Sequence, residues 1–116
     1  MKLNLILAAA FALSLASCIT QPQPLYTWGN YTNATYDFIK TSTDGDRDKL
    51  LKTYESMIKK QKGVRQCVPP GIYADYGYLL IKTGNPEKGK EMLLQEIALY
   101  PESKVFVERI VTNLQK

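Results

Sequence analysis

The feature that most constrains this chain is a pair of apolar stripes hinged on Gly84-Asn85-Pro86 and closed by Pro101. Tyr73 to Thr83 reads as one amphipathic helix, ended by Gly84. Asn85 offers a cap to the next helix, and Pro86 suits its first turn, where no N–H is needed. Glu87 then sits near the positive end of the helix dipole. This second helix runs to about Tyr100, and Pro69-Pro70-Gly71 breaks the chain in front of the pair. Helices joined by so short a turn lie antiparallel, and one such pair cannot bury both of its faces. Neighbours are required on each side.

The rest of the chain provides them. Asp46 to Gln61 carries Leu50, Leu51, Tyr54, Met57 and Ile58 at spacings of three and four. Asp44, Asp46 and Asp48 are read as caps and early negative charge, and Gly63 as the residue after the last turn. Thr32 to Thr41 is a Thr-rich helix with Tyr36, Phe38 and Ile39. Val107, Ile110, Val111 and Leu114 form a final stripe, with Ser103 placed to cap it. The expected fold class is all-α.

Pro70 to Ser103 resembles a tetratricopeptide repeat, whose period is about 34 residues. Tyr73 stands at the repeat's large aromatic position, Tyr76-Gly77 at its Leu-Gly, and Leu80 at the large position one turn later. Gly77 and Gly89 match the two small positions where the helices cross, Leu93 the large position of the second helix, and Pro101 the closing proline. Glu96 departs from the pattern, which usually has Ala there. The resemblance implies antiparallel helix pairs, with one clear repeat at 70–103. A degenerate copy over Tyr31 to Val68, with Thr43-Asp44-Gly45-Asp46 at its turn, and a C-terminal capping helix flank it.

The N-terminus has a different logic. Met1-Lys2 is followed by an almost wholly apolar run from Leu3 to Leu15, which reads as a secretory signal. It is too short for a stop-transfer helix. Leu15-Ala16-Ser17-Cys18 resembles the lipobox of bacterial lipoproteins. The resemblance implies removal of residues 1–17 and a diacylglycerol held on the Cys18 thiol by a thioether, the thiol being the strongest side-chain nucleophile. Residue 19 is Ile rather than the Asp that retains enterobacterial lipoproteins at the inner membrane, which favours the outer membrane facing the periplasm. Cys67 is then alone, expected as a small half-buried side chain in a turn. Residues 18–30 follow as an extended Pro-rich linker, and 31–116 as the helical domain. Within Tyr26, Trp28 and Tyr31 the aromatic side chains serve either to dock on the helices or to anchor a partner.

Together the lipobox, the linker, "YTWGNY", "VPPGIYADYGYLL" and "LYPES" resemble a family of small bacterial lipoproteins. Its members are encoded beside lipoproteins resembling the curli secretion pore. The resemblance implies a cell-envelope assembly and assigns no activity.

Composition narrows the chemistry. Roughly 100 residues remain after cleavage, enough for one modest core. The net charge of +4 is weakly basic, and its densest run, Lys59 to Arg65, reads as a solvated helix end. Nucleic-acid binding is not expected of an exported, tethered chain. With no His, the commonest general base and metal ligand is missing. Asp44, Asp46, Asp48 and Glu55 are spaced as in a calcium loop, but Lys49 replaces its turn glycine, so capping is the expected role. Asp75 with Glu91 or Glu96 is the one carboxylate pair for a hydrolase, and no pocket signal surrounds it. No enzyme is expected, and no cofactor beyond the acyl groups at Cys18.

The expected function is a lipid-anchored adaptor that binds a protein partner, such as another envelope lipoprotein. Its binding groove is assigned to Ala74, Asp75, Tyr78, Ile81 and Lys82. A small cell-wall-modifying hydrolase and a purely structural lipoprotein subunit are the alternatives.

Overall fold

The structure is a computed structural model that describes residues 1–6 and 20–116. Cys18 and the lipobox lie outside the described residues. Five helices make up the domain: α1 Tyr31–Thr41, α2 Asp44–Lys59, α3 Ile72–Lys82, α4 Pro86–Leu99 and α5 Lys104–Leu114. A 3-10 turn, Pro101–Ser103, links the last two. Among the described residues there is no strand, and no helix is long and apolar enough to cross a membrane. The fold is all-helical. α1 packs on α2, α2 on α3, α3 on α4, and α4 on α5.

The start of α2 corrects the expected cap. Thr43, not an aspartate, is the N-cap, and its hydroxyl accepts from the Asp46 N–H at 3.1 Å. The Asp46 carboxylate accepts in turn from the Thr41 and Thr43 hydroxyls. The Thr43 hydroxyl thereby satisfies one N–H that the first turn leaves without a partner, worth about 1 kcal/mol. Ser103 differs too: its side chain does not cap α5 but donates to Glu96 Oε1 at 3.0 Å. Asn85 opens α4 through its backbone, its carbonyl accepting from the Gly89 N–H at 3.0 Å, and its side chain makes no cap bond.

α3 and α4 meet at two glycines. A Cβ on Gly77 would lie 2.6 Å from the Gly89 carbonyl oxygen, and Leu93 packs beside the same point. The interior falls into two clusters. Leu50, Tyr54, Met57, Ile72, Tyr76 and Leu80 fill the first, between the two helix pairs. Ala74, Leu93 and Val107 fill the second, between α3, α4 and α5. Truncating Leu80 or Leu93 to Ala would cost about 2–5 kcal/mol. A column of rings ties the elements together. Trp28, Tyr31, Tyr54 and Tyr76 follow one another at centroid separations of 5.5, 5.9 and 5.6 Å.

The end of the expected linker is part of the domain. Pro24 and Leu25 accept backbone bonds from the Val64 and Arg65 N–H groups at 3.0 and 3.1 Å. The Thr27 N–H donates to Gln61 Oε1 at 2.9 Å, and the Thr27 carbonyl accepts from Gln61 Nε2 at 2.8 Å. Gly63 is buried where this segment crosses, and a Cβ there would stand 2.6 Å from the Tyr26 Cα. Its role is close backbone approach rather than ending α2, which stops at Lys59.

Candidate partner-binding face

α3 presents three faces, and two are spent on packing. Ile72, Tyr76, Leu79 and Leu80 enter the first core cluster. Ala74, Gly77 and Ile81, spaced by three and four, turn toward α4 and α5. The remaining stripe is Asp75, Tyr78 and Lys82, all exposed. This corrects the expected groove. Ala74 is 0% exposed and closed to a partner, while Ile81 is half-buried and spends part of its surface on Leu93 and Val107. Three of the five residues remain on one open face.

Their electrostatics are specific. The Lys82 ammonium lies 5.7 Å from the Tyr78 ring centroid, an attraction of about 0.5–1 kcal/mol at an exposed site. Asp75 touches water, yet protein crowds its carboxyl, and that crowding is what sets its proton affinity. Desolvation pushes its pKa above the ordinary value, the Tyr31 hydroxyl pulls it part of the way back, and Glu96 pushes it up again. Tyr31 is itself raised, first by burial and then by the Asp75 charge. Asp75 on α3 and Tyr31 on α1 are thus neighbours across the face.

The aromatic residues separate. Tyr31 is half-buried in the ring column. Tyr26 is half-buried too, and its hydroxyl and the Cys67 thiol, together with burial as the main cause, raise the pKa of Tyr100. The Tyr100 hydroxyl donates to the Val68 carbonyl at 2.6 Å, and Cys67 Sγ lies 3.7 Å from it. Only Trp28 keeps a large open surface, 47% exposed.

Glu96 explains its departure from the repeat pattern. It is wholly buried, and Oε1 accepts from the Gly71 N–H at 2.8 Å and from the Ser103 hydroxyl. One carboxylate oxygen therefore ties the start of α3 to the turn before α5. The other oxygen has no partner among the described residues. Hydrolysis by an acid pair needs both carboxyls on the substrate. Asp75 and Glu96 interact, but Glu96 does not reach solvent, and Glu91 is exposed elsewhere on α4.

The calcium-like acids have other partners. Arg47 pairs with Asp44 at 2.8 Å and with Asp48 at 3.3 Å. Glu55 accepts from the Tyr76 hydroxyl at 2.8 Å and from Lys88 at 3.2 Å. Among the described residues no three acids, cysteines or histidines converge.

Two surfaces were not singled out from the sequence. One is a groove of about 770 Å³ between the N-terminal segment and α2, lined by Lys49, Lys52, Lys60 and Lys62. The other, about 580 Å³, lies between α4 and α5 and is lined by Leu94, Ile97 and Val111. The basic run 59–65 signalled the first only in part, because its other wall comes from residues 27–30.

The molecule is thus a small all-helical domain of packed antiparallel helix pairs with one polar face of α3 left open. The chain belongs to the family described as a domain of unknown function, DUF4810, whose family model matches residues 25–110. That match begins at Leu25, within the segment whose Pro24 and Leu25 carbonyls are pinned to the 64–65 loop. No curated protein and no solved structure matches the chain.

Proposed function

We propose that this protein is a lipid-anchored adaptor of the bacterial cell envelope. Signal removal leaves an acylated Cys18, and a tetratricopeptide-like pair of helix hairpins faces the periplasm from the outer membrane. The observation that carries the adaptor reading is the stripe Asp75, Tyr78 and Lys82, open while the other faces of α3 are packed. An aromatic ring flanked by both charges is the composition of a binding hot spot. The acyl chains raise the effective concentration of this face for neighbours on the same membrane, such as another envelope lipoprotein.

The rival hydrolase reading draws support from the raised pKa of the Asp75 carboxyl, but its second acid is buried. A purely structural subunit draws support from exposed Leu94, Val105 and Phe106 on α4 and α5. Tyr78→Ala and Lys82→Glu separate these readings. The adaptor loses its co-purifying partner from detergent-solubilised membranes while the melting temperature hardly moves. Early melting of the variants, or unchanged co-purification, overturns the assignment of this face.

A further inference from the structure

We propose that the lysine-rimmed groove beside the N-terminal segment docks on the headgroups of anionic phospholipids and so fixes how the domain lies on the bilayer. For its geometry this rests on the Cys18 anchor proposed above. Its chemistry stands on the described residues.

The first observation is charge without protein partners. Lys49 is tied to Asp37 at 2.6 Å, but among the described residues Lys52, Lys60 and Lys62 make no ion pair. Asp48 also lines the groove, and its carboxylate is held by Arg47. Three unpaired ammonium groups around one concavity attract anions.

The second observation is what the same segment and loop expose. Trp28, 47% exposed, lies between Thr27 and Gly29, which line the groove. Leu25 and Val64, 54% and 63% exposed, belong to the same pinned segment and loop. A free phosphate or an acidic peptide would satisfy the lysines and leave these apolar groups in water. A headgroup layer takes both, since indole favours the interface and lysine stems cross apolar surface to reach phosphates.

The third observation is position. The Lys62 N–H donates to Thr27 Oγ1 at 2.8 Å, and Val64 and Arg65 bind Pro24 and Leu25. The basic loop is therefore where the anchor segment joins the domain. The stretch from Cys18 to Pro24 reaches about 20 Å at most. A groove on so short a leash stays near the bilayer surface, where headgroup charge is felt over about 10 Å. The acyl chains hold the protein down, and the lysines set which side faces the lipid.

Trp28, the only Trp in the chain, reports this directly. The purified full chain is reconstituted into vesicles of phosphatidylcholine alone or mixed with phosphatidylglycerol, with a headgroup-linked nitroxide as quencher. Docking predicts at least about twofold stronger Trp28 quenching in the anionic vesicles, relieved by about 0.5 M salt. The same quenching is lost in Lys52→Glu/Lys60→Glu/Lys62→Glu, whose fold is checked by circular dichroism. Lys60→Glu alone gives partial loss should the triple variant misfold. Equal quenching in both vesicle types, or quenching that survives charge reversal, overturns the proposal. Flotation of the same samples reads the anchor separately. A chain that floats with both vesicle types but shows no difference in quenching keeps the anchor and contradicts docking. A chain that floats only with anionic vesicles and is released by salt keeps docking and contradicts the anchor.

Discussion

Gly77 and Gly89 face each other across the α3–α4 crossing so closely that a Cβ on either would stand 2.6 Å from the other's carbonyl oxygen. The opposing atom is backbone, inside hydrogen-bonded helices, so it cannot turn away as a side chain would. This contact brings the α4-facing side of α3 into close packing with Leu93 beside it.

Gly77→Ala therefore sets two effects against each other. Alanine gains about 1 kcal/mol of helix propensity over glycine. Forcing the helices apart should cost more, leaving a net loss of about 1–3 kcal/mol, and a larger side chain should cost more still. Urea denaturation of the variant checks this, and an unchanged midpoint would show that the crossing is loose.

Glu96 makes a second prediction. Glu96→Ala removes the acceptor from the half-buried Gly71 N–H and from Ser103, a loss of about 1–3 kcal/mol before any cavity cost. Glu96→Gln keeps an oxygen for Gly71 and should lose less. Thermal melts that ranked the two the other way would contradict the clasp.

Glu55 and Asp75 should give opposite responses to acid. The Tyr76 hydroxyl, and then Lys88, hold Glu55 below its ordinary pKa of 4.5. A lowered carboxyl pKa contributes stability that is complete above the unfolded value and lost as pH falls through the folded one. Tyr76→Phe should therefore flatten the decline in stability below about pH 4.5. Desolvation, with a smaller push from Glu96, raises Asp75 above 3.8, so its charge opposes folding above that raised value. Asp75→Asn should melt higher than the parent at neutral pH, with the gain vanishing as pH falls to about 3.8. Melting curves across this range check both signs.

Millimolar calcium should leave the melting temperature unchanged, since Asp44, Asp46, Asp48 and Glu55 are already engaged by Arg47, Thr41, Thr43, Tyr76 and Lys88. A shift abolished by Asp44→Ala would contradict this.

What the sequence made legible was local. Gly84, Pro86 and Pro101 punctuate α3 and α4 through backbone rules that act within a turn, so both helices fall within a residue or two of their expected bounds. Long-range partners were not legible. Glu96 looked like a blemish in a repeat because its partners, Gly71 and Ser103, lie 25 and 7 residues away. Gly63 looked like a helix stop because the segment that crosses it carries no periodicity. The face of α3 was half legible: helical spacing grouped five residues, but only the packing of α4 and α5 buries Ala74 and covers part of Ile81.

The account turns on the membrane anchor, and intact-mass measurement of the native protein tests it most directly. The predicted result is a chain that begins at Cys18 and carries the mass of a thioether-linked diacylglycerol, which Cys18→Ala abolishes. A native chain that retains residues 1–17, or one whose Cys18 is a free thiol, would contradict it.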